Sequence, residues 1–367
     1  MSAVQVCEAI AAGIQQADST VEIVKIPLSD GGEGFTESLL TAIGGRKIKC
    51  PVLDPLGREI SAEYAVLNDH TVIIETAAAS GLSLIIADER NPLKATSYGS
   101  GQLIRTALDD GFRKFVIGLG GSATVDGGAG LVQALGIKFF DNAGRLIEHP
   151  MTNELLSQCH DFDLNGLHPG VGEAEFTIAS DVTNPLLGET GAVAVYAPQK
   201  GAMPEMLPLL ENNLVYFYDL VEKKIGRCVR DVPGAGAAGG IGAGLLAFLN
   251  ARIRSGIEMV LELTDFQCRI ADADLIITGE GRIDEQTAFG KTIAGVLQCA
   301  AEKRIPVIAV AGQKRGVLDE LRRRGLKEIY TLIERVTEPA ETFDRAEELL
   351  TEIGKQIASR FLYLKYL

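Results

Sequence analysis

The sequence has no Cys-x-x-Cys pair and no His-x-x-x-His. Its six cysteines (Cys7, Cys50, Cys159, Cys228, Cys268, Cys299) lie far apart. The common redox and zinc signatures are therefore missing, and scattered thiols suit a reducing, cytoplasmic setting. No apolar run reaches the roughly 18 residues that a membrane span needs, and no signal peptide opens the chain. A cytoplasmic protein without a membrane partner is expected. Basic residues are outnumbered, with 35 Lys+Arg against 49 Asp+Glu and a net charge of −14. Proteins that bind nucleic acid through its phosphates are basic, so no nucleic-acid partner is expected. An anionic small molecule remains possible, because a cleft can be locally positive in an acidic whole. Cys159-His160 with His168 could be drawn as half a metal site, but the surrounding MTNELLSQCHDFDLNGLHPG reads as polar loop. No GxGxxG follows an expected strand either, which removes the main support for a dinucleotide-binding dehydrogenase.

What is present is an ordinary globular balance, 46% hydrophobic and 23% charged over 367 residues. That length suggests two domains or one large one. Glycine is in excess, 41 residues, and the excess is clustered, which argues for ligand-cradling loops over disorder.

Residues 2–17 read as a helix with Ser2 as N-cap. Val21–Leu28 reads as a strand, and a helix follows from about Phe35 to Ile43. Lys47–Leu53, Glu59–Leu67 and Thr71–Glu75 are short strands joined at Asp54-Pro-Leu-Gly57 and Asn68-Asp69, an antiparallel meander. Alternating α/β units resume with a helix at Tyr98–Asp110, a strand at Phe115–Leu119, a helix near Asp126–Leu135 and a strand at Phe176–Ala179. Helices follow at 205–226 and Leu245–Ser255. The chain ends on strands at Leu275–Thr278, Pro306–Ala311 and Glu328–Ile333, with helices at about 291–303, Arg315–Gly325 and 342–363. The strand at 21–28 could share a sheet with these last three. The chain would leave that sheet near 46 and rejoin it near 265. The expected class is α/β, with a discontinuous parallel-sheet domain (1–45 and 265–367) and an inserted α/β domain carrying the meander (46–264).

Ligands of open parallel sheets bind beyond the carboxyl ends of the strands. Asp30 and Glu33 follow the first strand, Gly279–Asp284 the second, and Gly312-Gln313 the third. Gly118–Gly130 packs six glycines between a strand and a helix. Gly120, Gly121, Ser122 and Thr124 there could cradle phosphate or carboxylate, or make a tight turn for close helix–sheet packing. Pro233–Gly244 could hold an anion on backbone amides or simply pack closely. In 278–292, Gly290-Lys291-Thr292 resembles the end of a P-loop, but Glu285 stands where the Walker glycine is required. Arg282 and Lys291 could neutralise phosphate oxygens, and Glu280 and Asp284 could hold magnesium or accept a proton. Gly279 and Gly281 would let backbone approach a nucleotide. A solvated, salt-bridged loop is the alternative. Asp181, at a strand exit with Lys200 nearby in the chain, is either a site carboxylate or an Asx-turn; Glu75 is similar.

Seven blocks in register carry a resemblance: SDGGEG (29–34), ETAAASGL (75–82), NPLKATSYGSGQLI (91–104), GLGGSATVDGGAG (118–130), ASDVTNPLLGETGA (179–192), DVPGAGAAGGIGAG (231–244) and TGEGRIDEQTAFGK (278–291). Together they resemble the type-1 glycerate kinases over nearly the whole chain. The resemblance implies phosphorylation of D-glycerate by ATP and magnesium to 2-phosphoglycerate. It also implies two α/β domains, one Rossmann-like and discontinuous, with the active site between them. Under it, Asp30, Asp181 and Asp284 are candidates for the base and metal roles, Arg282 and Lys291 for the cations, and the 120–124 stretch for the anion cradle. A catalytically impaired anion-binding sensor is the non-enzymatic alternative. The chain begins at Met1-Ser2-Ala3, inside the family pattern. An upstream apolar strand ending in Asp and Lys is expected.

Overall fold

The computed structural model describes residues 1–362 except Asp30, Glu33, Glu285, Gln286, 288–291 and Val317; of Leu362 only the backbone is described. The chain divides into two compact units. The larger comprises Gly31–Thr36 and Gly44–Gly256. The smaller comprises Met1–Asp30, Glu37–Ile43 and the described residues from Ile257 onward.

In the larger unit, strands β1 (Gly45–Leu53), β2 (Glu59–Leu67), β3 (Val72–Glu75) and β4 (Lys114–Gly118) are followed by a small antiparallel pair, β5 (Lys138–Phe140) and β6 (Asp161–Asp163). Strands β7 (Glu175–Ala179) and β8 (Arg252–Arg254) complete a six-stranded sheet in the order β1-β2-β3-β4-β7-β8. The first three strands form the expected antiparallel meander, and β3, β4, β7 and β8 run parallel. Side-chain chemistry makes the first hairpin. Asp54 is buried, its Oδ1 accepting from the amides of Leu56 and Arg58 and its Oδ2 from Arg58 Nε at 2.6 Å. Gly57 supplies the left-handed residue, φ +79°. The central parallel strands β3 and β4 carry unbroken apolar runs, because both faces are covered there. Val72, Ile73 and Ile74 are each fully buried, and register partners Phe115 and Phe176 stack at 4.9 Å.

The smaller unit is a three-layer sandwich. Strands β9 (Ile276–Ile283), β10 (Val307–Lys314) and β11 (Leu326–Thr331) are parallel in the order β11-β10-β9. Helices Gly256–Leu263 and Thr292–Lys303 cover one face through Ile257, Val296 and Leu297. Helices Ala3–Ala17 and Ala346–Leu362 cover the other through Ile10, Ile14, Leu349 and Ile353. Ser2 caps the first helix as expected, in a reciprocal box with Gln5. The two helices meet backbone to backbone. A Cβ on Gly13 would lie 2.0 Å from the Thr351 carbonyl.

Three elements differ from expectation. Residues 21–28 are no strand of this sheet. Val21 and Ile23 pack into one apolar cluster and Ile26 and Leu28 into the other, so the chain crosses from layer to layer. Alternation reports burial, and an extended chain achieves burial without a ladder partner. The helix placed at 245–255 instead runs Ala237–Leu249, stops at Asn250 (φ +52°) and gives way to β8, where Ile253 pairs with Ile178. Finally, Gly279–Ile283 belongs to strand β9 and is not a loop after it. β10 offers a continuous ladder, and Gly279 fits where a Cβ would sit 2.4 Å from the Val310 carbonyl. Among the described residues no helix is long and apolar enough to cross a membrane.

Candidate active site

In the larger unit the carboxyl ends of β3, β4 and β7 carry a cluster of glycine and acidic residues. Gly31 crosses this edge so closely that a Cβ would lie 2.5 Å from the Ala179 carbonyl, and a Cβ on Gly118 would lie 2.7 Å from the Gly31 carbonyl. Glu75, the last residue of β3, accepts the Thr36 amide at 2.6 Å, and Phe35 is fully buried behind it. Gly31 and the helix start at Phe35 and Thr36 are thus pinned over the strand ends. Asp181, just past β7, accepts at Oδ1 from Ser255 Oγ at 2.7 Å and from the Gly256 amide at 3.0 Å. That is a turn-organising contact that also orients the carboxylate.

The glycine-rich loop leaves β4 beside segment 76–82. Leu82 donates to the Gly121 carbonyl and Ala123 to the Ser80 carbonyl, both at 2.8 Å. Gly121 is left-handed, φ +69°. Among the described residues no protein acceptor takes the backbone N–H of Gly120, Gly121 or Ser122. Further along, Asp126 is fully buried. Its Oδ2 accepts from the Ser97 amide and hydroxyl and from the Gly130 amide, and its Oδ1 from the Gly128 amide. Burial pushes this carboxyl upward, against those hydrogen bonds. Lys200, which sequence reading noticed only as a chain neighbour of Asp181, reaches instead to the loop. Its Nζ donates to Ser122 Oγ at 2.8 Å and to the Thr124 carbonyl at 2.7 Å. Burial draws its pKa down to about 7, opposed by the charge of Asp126. Thr124 Oγ1 is buried without a hydrogen-bond partner.

The second glycine cluster has a different environment. Ala238, Gly239 and Gly240 are successively left-handed, and a Cβ on Gly239 would lie 1.9 Å from the Thr124 carbonyl. The Gly127 amide donates to the Gly239 carbonyl, so this cluster is the close-packed wall behind the first.

In the smaller unit, Glu280 and Arg282 lie in β9, opposite Ala311 and Gln313 of β10. Glu280 Oε1 accepts the Ile293 amide at the head of helix Thr292–Lys303, at 3.3 Å. Arg282 pairs with Asp284 at 2.9 Å, the arginine half exposed and the aspartate largely covered. The Asp284 amide donates to Thr287 Oγ1 at 3.1 Å, and its carbonyl accepts the Thr287 amide at 3.0 Å. No Cβ obstacle surrounds Gly281. Two candidates, Asp30 and Lys291, lie outside the described residues.

The donor sets fit an anionic co-substrate and a hard cation. Unsatisfied amides and an orphaned hydroxyl match phosphate or carboxylate oxygens. Magnesium ordinarily takes one or two carboxylates and fills its shell with phosphate and water oxygens. Glu280 and Asp284 supply oxygens of that kind. Among the described residues no group of three or more His, Cys, Asp or Glu forms a closed metal cage.

A model of the glycerate kinase family matches residues 1–362. A glycerate kinase of Bacillus subtilis (strain 168) is 42% identical over 360 residues, covering 98% of this chain and 94% of that protein. A glycerate 2-kinase of Escherichia coli (strain K12) is 40% identical with the same coverage. Among solved structures, a protein of Salmonella typhimurium LT2 described provisionally as glycerate kinase 2 matches with a TM-score of 0.86. It is 39% identical, and the match covers 100% of this chain and 96% of that one. On this similarity, which extends over nearly the whole chain, the chain belongs to the glycerate kinase family of enzymes.

Proposed function

We propose that this chain transfers the γ-phosphoryl group of ATP to D-glycerate, giving 2-phosphoglycerate, with Mg2+ as cofactor. One observation carries the reading: three adjacent backbone N–H groups, Gly120 to Ser122, have no acceptor among the described residues, in a family named for glycerate phosphorylation. Phosphoryl transfer asks little covalent chemistry of the protein, and positioning and charge stabilisation supply most of the acceleration. The amides of Gly120, Gly121 and Ser122 and the hydroxyl of Thr124 bind anionic oxygens. Asp284 and Glu280 hold the magnesium, which when bound offsets phosphate charge. Arg282 and Lys291 balance the charge that develops on the transferred group. Asp30 and Asp181 orient the glycerate hydroxyl and take its proton. The hydrogen bonds from Ser255 and Gly256 hold Asp181 in one orientation for that task.

The test is incubation with ATP, Mg2+ and D-glycerate, with products read by 31P and 13C NMR. ADP and 2-phosphoglycerate, formed only when all three are present, are expected. A 3-phosphoglycerate signal would overturn the position assignment. ADP formation without glycerate, or none at all, would overturn the activity.

A further inference from the structure

A lysine sealed inside the larger unit holds the glycine-rich loop from behind. Lys200 is 3% exposed and lies at the end of the short turn Pro198–Lys200. Its side chain spans more than seventy residues of sequence to reach Ser122 Oγ and the Thr124 carbonyl. A buried ammonium is costly even when paired, and an apolar side chain of the same length would pack there at lower cost. The two bonds therefore need a purpose beyond filling space.

The hydrogen-bond directions supply one. Ser122 Oγ accepts from the ammonium, so its own O–H is turned away from Lys200. Among the described residues no protein acceptor takes that hydrogen, nor the Ser122 amide. At Thr124 the ammonium takes the carbonyl and leaves Oγ1 buried and unpartnered. One cation thus fixes two alternate residues of the loop and leaves their donors unused. Asp126 supplies the opposing charge while anchoring the following turn through Gly128 and Gly130.

We propose that Lys200 is a positioning residue for anion recognition: it locks the Gly121–Thr124 turn so that Ser122 and the amides before it present donors to a phosphate or carboxylate group. The proposal rests on the reading of this loop as the anion cradle. It assigns no contact between Lys200 and the ligand.

The test compares Lys200→Met, Ser122→Ala and the double variant with the wild-type chain. Steady-state kinetics are run separately against ATP and against D-glycerate, and amide hydrogen exchange is measured across the chain. Lys200→Met should raise KM for one substrate by about tenfold, the loss of one charge-assisted contact, with kcat changed much less. Which KM moves tells whether the anion is the nucleotide phosphate or the glycerate carboxylate. Exchange should quicken in 118–126 and stay unchanged elsewhere. The double variant should be no worse than about threefold beyond either single one, because both remove the same contact. If Lys200→Met does not fold, Ser122→Ala alone must show the KM rise and the local exchange. A folded Lys200→Met with both KM values and loop exchange unchanged overturns the positioning role. So does a KM rise accompanied by faster exchange throughout the unit. Ser122→Ala with wild-type kinetics overturns the cradle reading itself, separately from the role of Lys200.

Discussion

Two glycine-rich stretches of this protein, 118–130 and 234–244, look alike in composition and differ in what their backbones do. In the second stretch the backbone is hemmed in by other backbone, and several of its amides are taken by protein carbonyls. Gly234 and Gly236 donate to the Asn184 carbonyl and Ala243 to the Ala235 carbonyl. Its glycines stand where other backbone occupies the place of a side chain. A Cβ on Gly236 would lie 2.1 Å from the Pro185 carbonyl and one on Gly240 would lie 2.7 Å from the Gly127 Cα. In the first stretch Gly121 is left-handed, yet its nearest Cβ neighbour is 3.4 Å away, and the amides around it are unspent. Glycine content therefore does not mark a ligand loop. Unsatisfied backbone donors beside open space do.

The comparison breaks or sharpens by substitution. The largest effect is expected at Gly239→Ala. A methyl 1.9 Å from a backbone carbonyl at φ +69° should cost more than about 3 kcal/mol, by steric overlap added to left-handed strain. Urea unfolding reads this directly, and a loss under 1 kcal/mol would mean the wall is not rigid. Gly121→Ala should cost only about 1–2 kcal/mol, the left-handed strain alone. Its activity should nonetheless fall more steeply than its stability, since the methyl enters the space the cradle needs. Equal losses in the two measurements would remove Gly121 from the site.

A third expectation concerns pH. The unfolded chain keeps the Lys200 proton to about pH 10.5, the native chain only to about 7. Between these values the unfolded state binds more protons, so this lysine makes stability rise with pH across that window. Below about pH 7 both states are protonated and the full burial cost is present. Lys200→Met should flatten that part of the stability-versus-pH curve, measured by denaturant midpoints from pH 6.5 to 9.5. The smallest effect is expected at Asp181→Asn. An amide oxygen still accepts from Ser255 and Gly256, so stability should change by no more than about 1 kcal/mol. Phosphoryl transfer should fall at least about tenfold if the carboxylate handles the substrate proton.

Much of the fold was legible because it follows from local chemistry. The Phe35–Ile43 helix, the Ser2 cap and the Asp54 turn are written in residues within a few positions of one another. The meander followed from its turn residues. Residues 21–28 misled because alternation reports burial and not ladder partners. The run past Thr278 misled because its glycines read as loop, whereas β10 required Gly279 for close strand approach. At the candidate site the glycine-rich loop and the acidic strand ends are legible as composition. Lys200 is not, since its partners lie 76 and 78 residues back along the chain. Neither is the division of labour between the two glycine clusters, because backbone satisfaction has no signature in residue type.

The central claim is that anions bind where amides are unspent. The most direct measurement is a set of 1H–15N spectra of the labelled protein titrated with Mg2+ and a non-hydrolysable ATP analogue, then separately with D-glycerate. One of the two ligands should shift the amides of Gly120, Gly121 and Ser122 saturably and leave those of Gly239 and Gly240 nearly unmoved. Shifts centred on 234–244, or saturable binding of both ligands with 120–122 unmoved, would contradict it.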